Sequence, residues 1–200
     1  EVLAERLASH QVYSVPAELV GARHAFADDD LGQARQLATR AAATGSGWGR
    51  QFLDGLATYA SSRDKGETAL QNKDGPTAAA SLQTARTIFV ELGGQANGRE
   101  GRRLSSSLAN ALYLVGISKL ASDDPCAAAE AFNRASNLNN DDVKIQQQQR
   151  KLQEQARAIL QRAQAQEGFD PTQARALARQ GFCLVDSGSP LSRELHAVGE

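Results

Sequence analysis

The chain has 200 residues and a mass of 21.3 kDa, enough for a hydrophobic core that needs no metal or disulfide staple. A hydrophobic fraction of 41% with a mean hydropathy of -0.43 argues against both a membrane-spanning protein and a low-complexity disordered chain. Lys and Arg number 22 against 23 Asp and Glu, and the net charge of -1 provides no global field that would gather nucleic acid or an anionic membrane. The apolar residues are skewed, 35 Ala and 22 Leu against 9 Val and 4 Ile, and that predicts helices in place of sheets.

Taken in chain order, residues 1–15 hold Val2, Leu3, Leu7, Val12 and Tyr13 and read as an N-terminal cap. Helix pairs are predicted over 16–44, 47–92, 103–140 and 141–186, with a flexible loop at 93–103 and a C-terminal cap or tail at 187–200. The pairs share a pattern. Asp30, Asp74, Asp124 and Asp170 are each followed four residues later by Ala34, Ala78, Ala128 and Ala174, and seven beyond that by Ala41, Ala85, Ala135 and Gly181. Larger residues fall between, and the offsets follow one face of a helix. Each Asp stands where an N-cap belongs, and Pro125 and Pro171 follow two of them at the first helical position.

Twelve residues before those Ala positions stand Ala22, Gly66, Gly116 and Arg162. A small residue, a short acidic turn and a second helix with small residues seven apart predict two helices whose backbones approach closely. Gly93, Gly94, Gly98 and Gly101 argue against helix in the third connection, which leaves Arg99, Arg102 and Arg103 as a basic cluster in a solvated loop. Asp141 to about Glu167 reads as a long helix, where Ile145, Leu152 and Ile159 recur every seven residues around a Gln run at 146–149 and mark a narrow apolar seam. Trp48, Phe52, Leu56 and Tyr59 share one helical face and read as core, with Trp48 the one best placed to be an exposed anchor.

The third pair resembles the tetratricopeptide repeat family, through Gly116 in the first helix, Ala128, Phe132 and Ala135 in the second, and Asn140 where that family usually carries Pro. The second pair matches fairly through Gly66, Ala78, Leu82 and Ala85, and the first and fourth keep only the small residues of the second helix. Steps of 44, 50 and 46 residues between equivalent Ala positions depart from the family's repeat of about 34. The resemblance therefore implies an all-α fold of antiparallel helix pairs stacked as a right-handed superhelix, an α-solenoid with extended helices and irregular spacing. Neither catalysis nor a cofactor is expected, since no active-site motif stands in the sequence. First helices of that family line a concave groove for partner segments, which carries over to Leu19 and Arg23, to Arg63 and Glu67, and to Asn110, Tyr113 and Ile117. The Lys/Asn/Arg clamp of chaperone-binding members is not reproduced at these positions.

Residue chemistry points the same way. No nucleotide-binding or hydrolase motif is present, and His10, His24 and His196 lack metal-ligand spacing. The acidic runs at 28–30, 123–124 and 141–142 lack the alternation of a calcium loop and read as helix caps. Cys126 and Cys183 form no CxxC motif, and the expectation for both is the ordinary one of small buried hydrophobes, with a disulfide between them open. The chain opens on Glu1 and lacks Met, so it reads as a piece of a longer protein of open localisation. The expected function is a non-catalytic protein-interaction module or assembly scaffold that takes a protein or peptide partner, with no nucleic acid and no membrane insertion. The alternatives are a structural domain that forms homo-oligomers through the helix at 141–167, and a regulatory or sensor accessory domain of a larger enzyme.

Overall fold

A computed structural model describes residues 16–200, so the cap expected at 1–15 lies outside the described residues. Those residues form nine helices: α1 Ala17–Ala27, α2 Leu31–Ala43, α3 Gly47–Gln71, α4 Gly75–Glu91, α5 Arg99–Ala121, α6 Pro125–Leu138, α7 Val143–Gln166, α8 Pro171–Phe182 and α9 Pro190–Gly199. No strand occurs among the described residues, and the all-α class follows. The chain divides into two compact units, one of residues 16–61 and 85–102, the other of residues 62–84 and 103–200.

Three turns within helix pairs have the same construction. The second turn residue is in the left-handed region at Asp29 (φ 64), Lys73 (φ 58) and Asp123 (φ 57). The next residue's N–H then reaches back to the ending helix: Asp30 to the Ala25 carbonyl at 2.8 Å, Asp74 to Ala69 at 2.9 Å, Asp124 to Lys119 at 2.9 Å. This is the Schellman closure, which satisfies carbonyls left open at a helix end. The same three Asp side chains accept the N–H of the residue three positions on, Gln33, Thr77 and Ala127, at 2.9, 3.1 and 3.1 Å. One residue thus ends one helix with its backbone and starts the next with its carboxylate.

The fourth pair shares the cap but not the turn. Asp170 accepts from Gln173 N at 3.0 Å, yet its own N–H bonds the Gln166 carbonyl at 2.7 Å and Glu167 stays right-handed. The buried small residue of α7 is accordingly Ala163, one position past the exposed Arg162.

Small residues do mark close approach. A Cβ on Gly66 would lie 2.6 Å from the Leu82 side chain, and one on Gly116 would overlap the Phe132 ring. In the first unit Phe26 is the centre of an aromatic cluster, with ring centroids 6.1 Å from Phe52, 5.6 Å from Tyr59 and 5.2 Å from Phe89. Aromatic pairs at these separations add attraction beyond burial. The Tyr59 ring is fully buried, and its hydroxyl donates to Glu100 Oε1 at 2.7 Å. In the second unit one core joins Ala128, Ala129 and Phe132 of α6 to Leu152, Ala156 and Leu160 of α7, and to Leu184, Val185 and Leu195.

Two expectations are corrected. Arg99, Arg102 and Arg103 stand on α5, not in a loop. Gly98 accepts the first helical bond from Arg102 N at 3.0 Å, Asp29 Oδ2 accepts from Glu100 N at 3.3 Å, and a side chain at Gly101 would strike the carbonyls of Gln95 and Ala96. The glycine there serves a close backbone contact inside a helix. Nor are the cysteines free: Cys126 in the first turn of α6 is bonded to Cys183 at the end of α8, with Cα atoms 5.2 Å apart at a sequence separation of 57. By chain entropy alone, closing a loop of this length contributes about 4 kcal/mol.

A Lys in the left-handed region has no side-chain reason to be there, whereas Gly adopts it without a Cβ penalty. Lys73→Gly is therefore expected to raise unfolding stability by roughly 1 kcal/mol in urea titration. At the following residue, hydrogen bonds from the Thr77 hydroxyl and then the Thr77 N–H hold the Asp74 carboxyl below its ordinary value of 3.8. A depressed folded pKa means stability that is present above 3.8 and lost as pH falls through the folded value. The gap in urea midpoint between wild type and Asp74→Ala should therefore be constant at neutral pH and close under acid conditions.

Candidate functional site

Leu19 apart, the six residues implied as groove-facing are distributed over the two units. Arg23 is exposed on α1 in the first unit. The other five belong to the second unit. Arg63 is half-buried and pairs with the adjacent Asp64 at 3.0 Å. Glu67, one turn further along α3, receives the guanidinium of Arg103 from α5. These two helices begin consecutive pairs, so the ion pair joins first helix to first helix. On α5, Arg103, Asn110, Tyr113 and Ile117 lie within roughly 80° of one another at 100° per residue. Asn110 is exposed.

Tyr113 and Ile117 are only half-exposed, because both pack against the core of the second unit. The Tyr113 ring meets Phe132 at 5.8 Å with an interplanar angle of 48°. Leu19 faces inward altogether, at 2% exposure, and is core. The resemblance placed these apolar residues in a groove, but an apolar residue at the edge of a first helix is also where the neighbouring helix packs.

The α7 seam is likewise internal. Ile145 and Leu152 are 1% and 3% exposed, and Ile159 packs on the same core. Among the face of four, Phe52, Leu56 and Tyr59 are buried as read, while Trp48 is 53% exposed. It lines a cavity of about 590 Å³ with Pro16 and the α2–α3 turn.

A feature the sequence reading did not assign is a groove along the outer face of α7. One cavity of about 450 Å³ lies between α7 and the segment 185–194, and another of about 260 Å³ lies between α7 and the end of α6. Gln153 and Val185 line both, so the two adjoin. Leu152, Leu160 and Val185 belong to both the groove wall and the core. Amides form the rim, and Gln149 Nε2 donates to Asn133 Oδ1 at 2.8 Å. The signal in sequence was the glutamine content of α7, where Gln149 of the run at 146–149 is followed by Gln153 and Gln161 at one-turn and two-turn steps.

Among the described residues, no group of three or more His, Cys, Asp or Glu side chains is placed to hold a metal ion. No described helix is long and apolar enough to cross a membrane. No protein-family model matches the sequence, and no curated protein or solved structure matches it.

The placement of Tyr113 sets its effect when substituted. Tyr113→Ala removes a ring packed at a tilt against Phe132 and should lower unfolding stability by roughly 2 kcal/mol in urea titration, whatever it does to binding.

Proposed function

We propose that the chain is a non-catalytic protein-interaction module, built of helix pairs stacked in the manner of the tetratricopeptide repeats and presenting its first helices to a partner segment. The observation that supports it is the turn at Asp30, Asp74 and Asp124, repeated in backbone and side-chain bonding alike. A thrice-repeated hairpin is the unit from which helical solenoids are made. The pairing of Arg103 on α5 with Glu67 on α3 adds that first helices of consecutive pairs adjoin. Their outward positions, Asn110 foremost, are polar and available, which suits docking with register set by hydrogen bonds and charge.

Variants at exposed positions test this without touching the core. Affinity capture with the wild-type chain, quantified by mass spectrometry, should yield a partner whose recovery falls about fivefold or more with Asn110→Arg, while the helical circular dichroism is unchanged. Recovery of the same proteins at the same level by wild type and by both Asn110→Arg and Arg23→Glu removes the first-helix surface as the docking site.

A further inference from the structure

We propose that the Cys126–Cys183 bond is a reversible redox lock on the joint between the third and fourth helix pairs, opened by a dithiol reductant and closed again by thiol–disulfide exchange. The bridge joins α6 to α8, two helices that each pack on α7, so it clamps α8, and the α9 that packs on α8, to the third pair. The core beneath is complete without it. Phe132 of α6, Leu152, Ala156 and Leu160 of α7, and Leu184, Val185 and Leu195 supply the buried apolar surface, and Cys183 only packs against their edge. A core of that kind keeps a helical chain of this size folded when the bond is open. A bond that the fold does not need can be made and broken as a control.

Both sulfurs are placed for exchange. Cys126 is exposed in the first turn of α6, whereas Cys183 is half-buried at the end of α8. Exposed disulfides are the labile ones, because the attacking thiolate must reach a sulfur. One thiolate of the dithiol therefore attacks Cys126 Sγ, the S–S bond breaks, and its electron pair leaves on Cys183. That sulfur takes a proton, and the resulting S–H has an acceptor in place, the Gln180 carbonyl oxygen 3.2 Å away. The second thiolate of the dithiol then attacks the dithiol sulfur of the mixed disulfide and expels Cys126 as a thiolate. The open N–H groups and positive end of α6 stabilise this leaving group. The cap carboxylate beside it, Asp124, is engaged by the Ala127 N–H at 3.1 Å and faces Lys119 at 3.8 Å. The dithiol ends as a cyclic disulfide, and two electrons and two protons have passed to the protein. Closure is the reverse with a small disulfide as oxidant, and a Cα separation of 5.2 Å is within bonding range.

The test uses the full chain at neutral pH without denaturant. Dithiothreitol should reduce the bond, read by mass spectrometry as maleimide uptake at both cysteines, while the helical circular dichroism is unchanged. Amide hydrogen exchange in α8 and α9 should then rise about tenfold or more, with α1 and α2 unaffected, and return to its starting rate when the dithiol is replaced by oxidised glutathione. The variant Cys126→Ser/Cys183→Ser should exchange at the reduced rate with or without dithiol. Reduced glutathione, quenched early, should be trapped as a mixed disulfide on Cys126, and an adduct on Cys183 overturns the assigned direction of attack. A bond that reacts only after urea is added overturns the lock, and so does a reduced chain that loses its helical signal, because the bridge is then a structural staple. Reduction that leaves exchange in α8 and α9 unchanged, or raises it equally in α1 and α2, overturns the joint as the element controlled.

Discussion

Much of this chain depends on one aspartate placed between two helices. At Asp30, Asp74 and Asp124 the backbone N–H closes the first helix and the carboxylate opens the second, so the turn has no spare residue in which the crossing of the pair might vary. Helices joined so tightly must lie against each other from their first turn, and that contact is where bulk is least tolerated. Gly66 beneath Leu82 and Gly116 beneath Phe132 are the result. At Asp74 and Asp124 the small residue eight positions before the Asp and the large one eight after it thus meet a single geometric requirement, whereas at Asp30 the same two positions hold Ala22 and Ala38, small on both sides.

The same dependence explains what was legible in the sequence. N-caps, small-residue positions and the long helices α3 and α7 are governed by interactions within about ten residues, so spacing reveals them. Long-range contacts are not revealed. Gly101 was misread because a glycine in a helix looks like a break until the Gln95 and Ala96 carbonyls are seen against it. The Cys126–Cys183 bond escaped for a similar reason: it depends on α6, α7 and α8 running back and forth so that a first turn and a last turn meet. The candidate groove residues divide along this line. Of the positions that the resemblance carried over, Arg23 and Asn110 are exposed, whereas Tyr113, Ile117 and Leu19 are claimed by neighbouring helices that a motif within one pair does not describe.

Tyr59 and Glu100 show how the first unit accommodates polarity inside an aromatic cluster. Phe26, Phe52 and Phe89 offer the tyrosine ring only apolar contact, and its hydroxyl finds an acceptor in the first turn of α5. Asp29, whose left-handed backbone ends α1, meets the same first turn by accepting the Glu100 N–H. The turn that joins α1 to α2 thus also secures the start of α5. A buried hydroxyl without that partner would be destabilising, because the polar group would have given up water for nothing.

Helix α7 carries two patterns at once, and their division explains the composition of its outer face. Its heptad of Ile145, Leu152 and Ile159 has the form of an oligomer seam, yet within this chain α6, α8 and α9 already cover it. Once the apolar stripe is committed inward, the remaining faces must be polar for the helix to remain in water, and the sequence meets that need mainly with glutamine in place of charge. Charged side chains would satisfy solvation equally well but would repel or select partners by sign. Uncharged amides keep the face solvated without setting a sign of charge along it.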